Sequence, residues 1–217
     1  TIRIDSKLQF EHLRSFGGTF TPGAVSKLQH YSGERPIFDL FNIDEEIRRA
    51  LARATPILTV GVGSVFPFEG RMLTVAAAQV RVPRVEGDVI LVPAGDGRAA
   101  GRVAAFLKLA ARQRLQGACE RYAGQVVRPF RKITLRDTRS RWGSCAADGS
   151  LMFSWRLIMA PAEVLDYVAA HEVAHLVEMN HAPEFWAVVS GLMPDYARHR
   201  RWIRTHGAGL HGYSFSD

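Results

Sequence analysis

The feature that most constrains this chain is the run His171-Glu172-Val173-Ala174-His175, with His181 six residues beyond it. On a helix of 3.6 residues per turn, two histidines four apart project about 40° from each other, so their imidazoles point the same way and can share one metal ion. Glu172 is rotated about 100° from His171, which keeps it out of the ligand set but within reach of a water on the metal. A metal that lowers a water's pKa, beside a carboxylate that takes its proton, is the arrangement needed to hydrolyse an amide. Val164 and Val168 precede the histidines on the same face, so that face turns inward. The plainer alternative is a pair of core histidines with a surface glutamate. Two imidazoles and a carboxylate are, however, a poor filling for a core.

A catalytic zinc usually takes three protein ligands and a water. A straight helix would carry His181 about 15 Å beyond His171, so the helix must end between them. Asn180 tolerates the left-handed conformation that closes helices and Pro183 blocks continuation, which puts the expected bend near Asn180. His181 is the favoured third ligand; Glu184, His199 and His206 are the alternatives. The spacing matches that of the metzincin zinc signature, but Glu178 stands where that signature has glycine, so a different turn is expected.

Around this run the pattern is mixed. Asn42, the acidic residues 44–46 and Arg48, Arg49 and Arg53 mark a helix that Pro56 stops. Short β-like stretches follow at Ile57–Val60, Leu73–Val75, Val80–Val82 and Val89–Val92. A long amphipathic helix is expected over about 97–123, with Cys119 on its core face. Residues 132–137 and Leu151–Met159 read as strands. A helix begins at Pro161, and two more cover about 183–192 and 195–206. This is an α+β pattern: a small twisted sheet packed against helices, one carrying the histidines. Zincin clefts pair extended substrate with an exposed strand edge, so Trp155 and Phe153 of the strand 151–159 would line that edge, with plain core packing the equal alternative; Trp155 and Arg156 are the candidate substrate-binding residues. The segment Arg141–Cys145 has no chemistry readable from composition, and Cys145 has no general base at readable spacing. For the oxyanion, Arg156, Tyr167, Tyr196 and His199 are all candidates.

The chain has 217 residues, 47% hydrophobic and 23% charged, enough to bury a core without disulfides. Two cysteines fit a reducing compartment, and no apolar run of membrane-spanning length or signal core is present. A cytoplasmic location without membrane association is the expectation. The net charge of +7 is concentrated at Arg128, Arg131, Lys132, Arg136, Arg139 and Arg141, and again at Arg198, Arg200, Arg201 and Arg204. Such a surface could hold nucleic acid or another acidic partner, although a solvated basic face is the commoner meaning. The oligomeric state is not readable.

The run 139–145, Phe153-Ser154-Trp155-Arg156-Leu157, Tyr167-Val168, 171–176, Asn180-His181 and Phe185-Trp186 resemble the YgjP-like zinc metallopeptidases, small bacterial relatives of the WLM and SprT-type zincins. The resemblance covers about 57–213. It implies a zincin-like minimal peptidase fold, one Zn2+ per chain on His171, His175 and His181, Glu172 as general base, and a protein or peptide substrate. Residues 3–53 instead resemble a fragment of the ribonuclease E/G family, through Asp5-Ser6-Lys7-Leu8, Ser26-Lys27-Leu28 and residues 36–41. That fragment ends before the family's metal-binding aspartates, which implies a non-catalytic appendage over 1–54 and a peptidase domain over 55–217. A fused or chimeric origin fits this junction. The competing expectation is a non-enzymatic, zinc-containing nucleic-acid or ribonucleoprotein binder. Glu172 argues against it, because a structural zinc site has no use for a base.

Overall fold

The computed structural model describes residues 57–95 and 97–216. The expected helix of residues 42–53 and the ribonuclease-like segment lie outside the described residues.

Strands β1 (Leu58–Thr59), β2 (Val65–Phe68), β3 (Arg71–Ala78), β4 (Arg84–Glu86) and β5 (Val89–Pro93) precede the long helix α1 (Ala99–Val126). Strands β6 (Lys132–Arg136), β7 (Gly143–Cys145) and β8 (Ser150–Ser154) follow, then a 3-10 turn at Trp155–Met159. Helices α2 (Ala162–Ala174), α3 (Pro183–Leu192) and α4 (Tyr196–His206) lead to a second 3-10 turn at Gly207–Gly212 and strand β9 (Tyr213–Ser214). The expected α+β architecture is what the chain adopts.

The first sheet runs β2-β3-β5-β4, with β3 and β5 parallel and the outer pairs antiparallel. Its hairpin turn, Glu69-Gly70, has φ of 48° and 79°. Positive φ at both central positions is the turn whose twist matches paired strands. A Cβ on Gly70 would sit 3.1 Å from Pro161 Cα, so the hairpin packs directly on the residue that starts α2. The region read as a strand at Val80–Val82 is a bend, and the strand falls at β4 instead. Val82 is exposed and has no partner sheet face, so its β-propensity goes unused.

The second sheet is ordered β6-β8-β7, with β6 and β8 parallel and β7 and β8 antiparallel. The expected strand 151–159 is therefore half strand and half 3-10 turn. Leu151, Phe153, Leu157, Ile158 and Met159 are all buried, and periodicity alone does not separate the two states in a short apolar run. Helix α1 packs on α2 and on that 3-10 turn through Val103, Leu107, Ala111, Leu115 and Cys119. Cys119 is core, as expected, and burial pushes its thiol up to about 12. Helix α2 contacts α1, α3, α4 and β7, so the element carrying the histidines lies at the centre of the fold.

Candidate active site

Helix α2 ends earlier than expected. The regular α-helix stops at Ala174, and the N–H groups of Leu176, Val177 and Glu178 close on the carbonyls of Val173 and Ala174. Among the described residues only Glu69 and Val127 have positive φ without being glycine, so Asn180 is not the left-handed closing residue. The bend comes directly after His175, and the histidine itself secures it: its Nδ1 lies 3.0 Å from the Glu178 carbonyl oxygen. Donation of that N–H fixes the tautomer and leaves Nε2 as a lone-pair donor.

The bend brings His181 back onto the helix. Its Nε2 lies 3.1 Å from His171 Nε2, and one ligand atom from each of His171, His175 and His181 falls within 4.8 Å of the others. Two nitrogens bound at zinc distance in a tetrahedron stand about 3.3 Å apart, so the pair fits a shared ion. Burial, reinforced by repulsion from His175 and His181, pushes the His171 imidazole down to about 3. Burial likewise lowers His175. Both rings are therefore neutral at ordinary pH, the state in which imidazole binds a metal. Phe185, fully buried on α3, touches all three rings at centroid distances of 4.9, 4.4 and 4.7 Å. His171 Nδ1 is buried without a hydrogen-bond partner, so packing against Tyr167, Phe185 and Trp186 orients this ring.

Glu172 is 5% exposed, and burial raises its carboxyl to about 8, opposed by the charge of Arg141. It faces β7. A Cβ built on Gly143 would lie 2.5 Å from Glu172 Oε1 and 2.6 Å from its Cγ. Only glycine leaves room for this carboxylate between helix and sheet. Nothing local in the sequence marks this role of Gly143, because the side chain that approaches it lies 29 positions away.

Trp155 and Arg156 stand elsewhere. Trp155 is buried in edge contact with Phe215, and Arg156 is used internally. The Arg156 guanidinium donates to both Asp137 oxygens, at 2.6 and 3.0 Å, and to the carbonyls of Leu210 and Tyr213. The expected substrate edge is also not at β8, which is paired on both sides; β7 is the edge strand of this sheet that packs against α2. His199 is buried with Nε2 on Asp195 at 2.9 Å, and His206 Nδ1 lies 3.2 Å from the Trp202 carbonyl. Neither joins the cluster, and neither does Glu184. Of the remaining oxyanion candidates, Tyr167 is buried against His171, and half-buried Tyr196 stacks on Tyr167 and Trp186. Burial pushes the Cys145 thiol up to about 11, which removes it as a nucleophile.

Residues 59–206 match the YgjP-like metallopeptidase domain. The chain belongs to the YgjP-like metallopeptidase family. Family membership makes it a metal-dependent peptide-hydrolysing protein in general terms. Among solved structures it is similar to the metallopeptidase zymogen abylysin of Pyrococcus abyssi: 18% identical, over 42% of this chain and 92% of that one, with a TM-score of 0.39. The N-terminal part of this YgjP-like chain is similar to a different protein. It is 47% identical over 60 residues to ribonuclease G of Salmonella typhimurium and of Escherichia coli K12, and 40% identical to that of Haemophilus influenzae. The match covers 28% of this chain but only 12% of those ribonucleases. No helix among the described residues is long and apolar enough to cross a membrane.

Proposed function

We propose that this chain is a zinc endopeptidase in which His171, His175 and His181 hold one Zn2+ and Glu172 is the general base. The reading rests chiefly on the convergence of three imidazole nitrogens within 4.8 Å, next to a buried carboxylate on the same helix. Bound zinc would supply a Lewis acid for the scissile carbonyl and the attacking water. The charge of a bound zinc would oppose the effect of burial and favour the ionised form of Glu172, which then accepts the water's proton at its carboxylate and returns it to the leaving amine nitrogen. Gly143 admits the carboxylate to that position, and the Glu178 carbonyl holds His175 in the ligating tautomer. The free edge of β7 offers extended substrate a strand to pair with. Under the same reading the catalytic domain covers 55–217, with residues 1–54 a separate appendage.

A zinc-containing nucleic-acid binder is the second reading, favoured by the arginine clusters and by the ribonuclease G likeness. Purified wild-type chain and Glu172→Gln distinguish the two. The peptidase reading expects one zinc in each and cleavage of an unfolded protein by the wild type alone. Zinc in both with cleavage by neither, with or without nucleic acid, sinks it. Zinc lost in His181→Ala but kept in His199→Ala is the expected ligand pattern.

A further inference from the structure

Beside the histidines lies a cation that has no carboxylate partner among the described residues. Arg200, on α4, holds its guanidinium 4.5 Å from the centre of the Trp186 ring. That ring lies 5.8 Å from the His171 ring and 5.9 Å from the His181 ring. Tyr196, one helical turn before Arg200, stacks on Trp186 at 5.4 Å and 20°. The guanidinium is thus held near the metal ligands by aromatic packing. Among the described residues no carboxylate lies within ion-pair distance of it, whereas Arg121, Arg131 and Arg156 have Asp166, Asp148 and Asp137.

From this we infer that Arg200 is a specificity residue that selects peptides with an acidic side chain one to three residues from the scissile bond. The inference rests on the peptidase reading for its site but not for its test. An extended peptide advances about 3.3–3.6 Å per residue, so a guanidinium 4.5 Å from a ring that itself lies 5.8 Å from the His171 ring meets a side chain within three residues. Guanidinium pairs with carboxylate through two parallel hydrogen bonds, and stacking on Trp186 lowers the entropy lost when it does so. A peptide suits the site better than a nucleic acid. The Trp186 ring is already engaged by Tyr196 and Arg200, whereas single-strand binding needs aromatic faces open to bases.

The test uses the full chain loaded with zinc and carrying Glu172→Gln, so that bound peptide survives. Three peptides identical except for Glu, Gln or Lys at the two residues on either side of one bond are titrated by calorimetry. The Glu peptide is expected to bind about tenfold more tightly than the Gln peptide, and the Lys peptide most weakly. Adding Arg200→Gln should erase the ranking; adding Arg200→Lys should preserve part of it. Equal binding of the three peptides, or a ranking that survives Arg200→Gln, overturns the inference. So does an oligonucleotide that displaces the Glu peptide and depends on Arg200 to do so. Acid-selective, Arg200-dependent binding together with no cleavage of unfolded protein by the wild type would instead overturn the peptidase reading and leave Arg200 as an acidic-peptide-binding residue.

Discussion

Gly143 and Glu172 share a space that holds only one side chain. A methyl group at 143 would meet Glu172 at 2.5 Å from Oε1 and 2.8 Å from Cδ, distances that real contacts do not reach. Glu172 is nearly fully buried, so its carboxylate has little free volume to move into, and the Cγ contact shows that rotating the carboxylate alone does not relieve the clash. Gly143→Ala is therefore expected to lower kcat at least a hundredfold, the scale on which misplaced groups act. Zinc content should stay at wild-type level, since the three atoms nearest a Cβ at 143 all belong to Glu172 and none to a histidine. Peptidase assays beside metal analysis check this; an active Gly143→Ala chain would mean that Glu172 works from another rotamer. The contrast with the histidines is informative. His171 and His175 were legible because helical geometry relates residues four apart whatever surrounds them. Gly143 was not, because its constraint is set by a helix almost thirty residues downstream and only the folded chain brings the two together.

At the scale of elements, helices α1, α3 and α4 appear within three residues of where periodicity, Pro183 and the glycine breaks place them. The errors fall at ends and edges. The end of α2 was read from Asn180 and Pro183, whereas hydrogen bonding to Val173 and Ala174 closes it sooner, helped by a histidine whose ring bonds to a carbonyl three residues on. Sheet order has no local signature at all, so the strand at 150–154 could not be recognised as central. The end of α1 shows a further feature that propensity misses. Val127 closes the helix at φ 53°, and it is 83% exposed. A β-branched residue in the left-handed region costs about 1–2 kcal/mol, and glycine there loses roughly half of that gain to its freer unfolded chain. Val127→Gly should thus stabilise the protein by about 0.5–1 kcal/mol, a rise in Tm of about 1–4 °C, with metal binding unchanged. A lower Tm by calorimetry would show that the Val127 side chain contributes packing its exposure conceals.

Across the described residues as a whole, the chain closes on itself: β1 pairs in parallel with β9, the first described strand with the last. What fixes the closing segment is buried and polar. Arg156 donates to the carbonyls of Leu210 and Tyr213, while Trp142 is clasped between Gly207, where a Cβ would lie 2.9 Å from its ring, and His211, stacked on it at 5.0 Å. Trp142 precedes Gly143, so this closure also supports the strand that borders Glu172. Its weak point is His211, which burial, with the charge of Arg156, pushes down from 6.5 to about 4. Because the folded value lies below the unfolded one, the unfolded chain binds the extra proton. The stability is intact above about pH 6.5 and is lost progressively as pH falls towards 4. A gap of that size corresponds to about 3 kcal/mol at most. His211→Phe keeps the stacked ring and removes the proton site. The difference in Tm between wild type and His211→Phe, both loaded with zinc, should therefore be nearly constant above pH 7 and shift in the variant's favour between pH 6.5 and 4.5. Acid loss of zinc acts on both chains alike and cancels in the difference. Parallel pH profiles would mean that protonated His211 finds a partner, with Asp137 the carboxylate whose charge already opposes the shift.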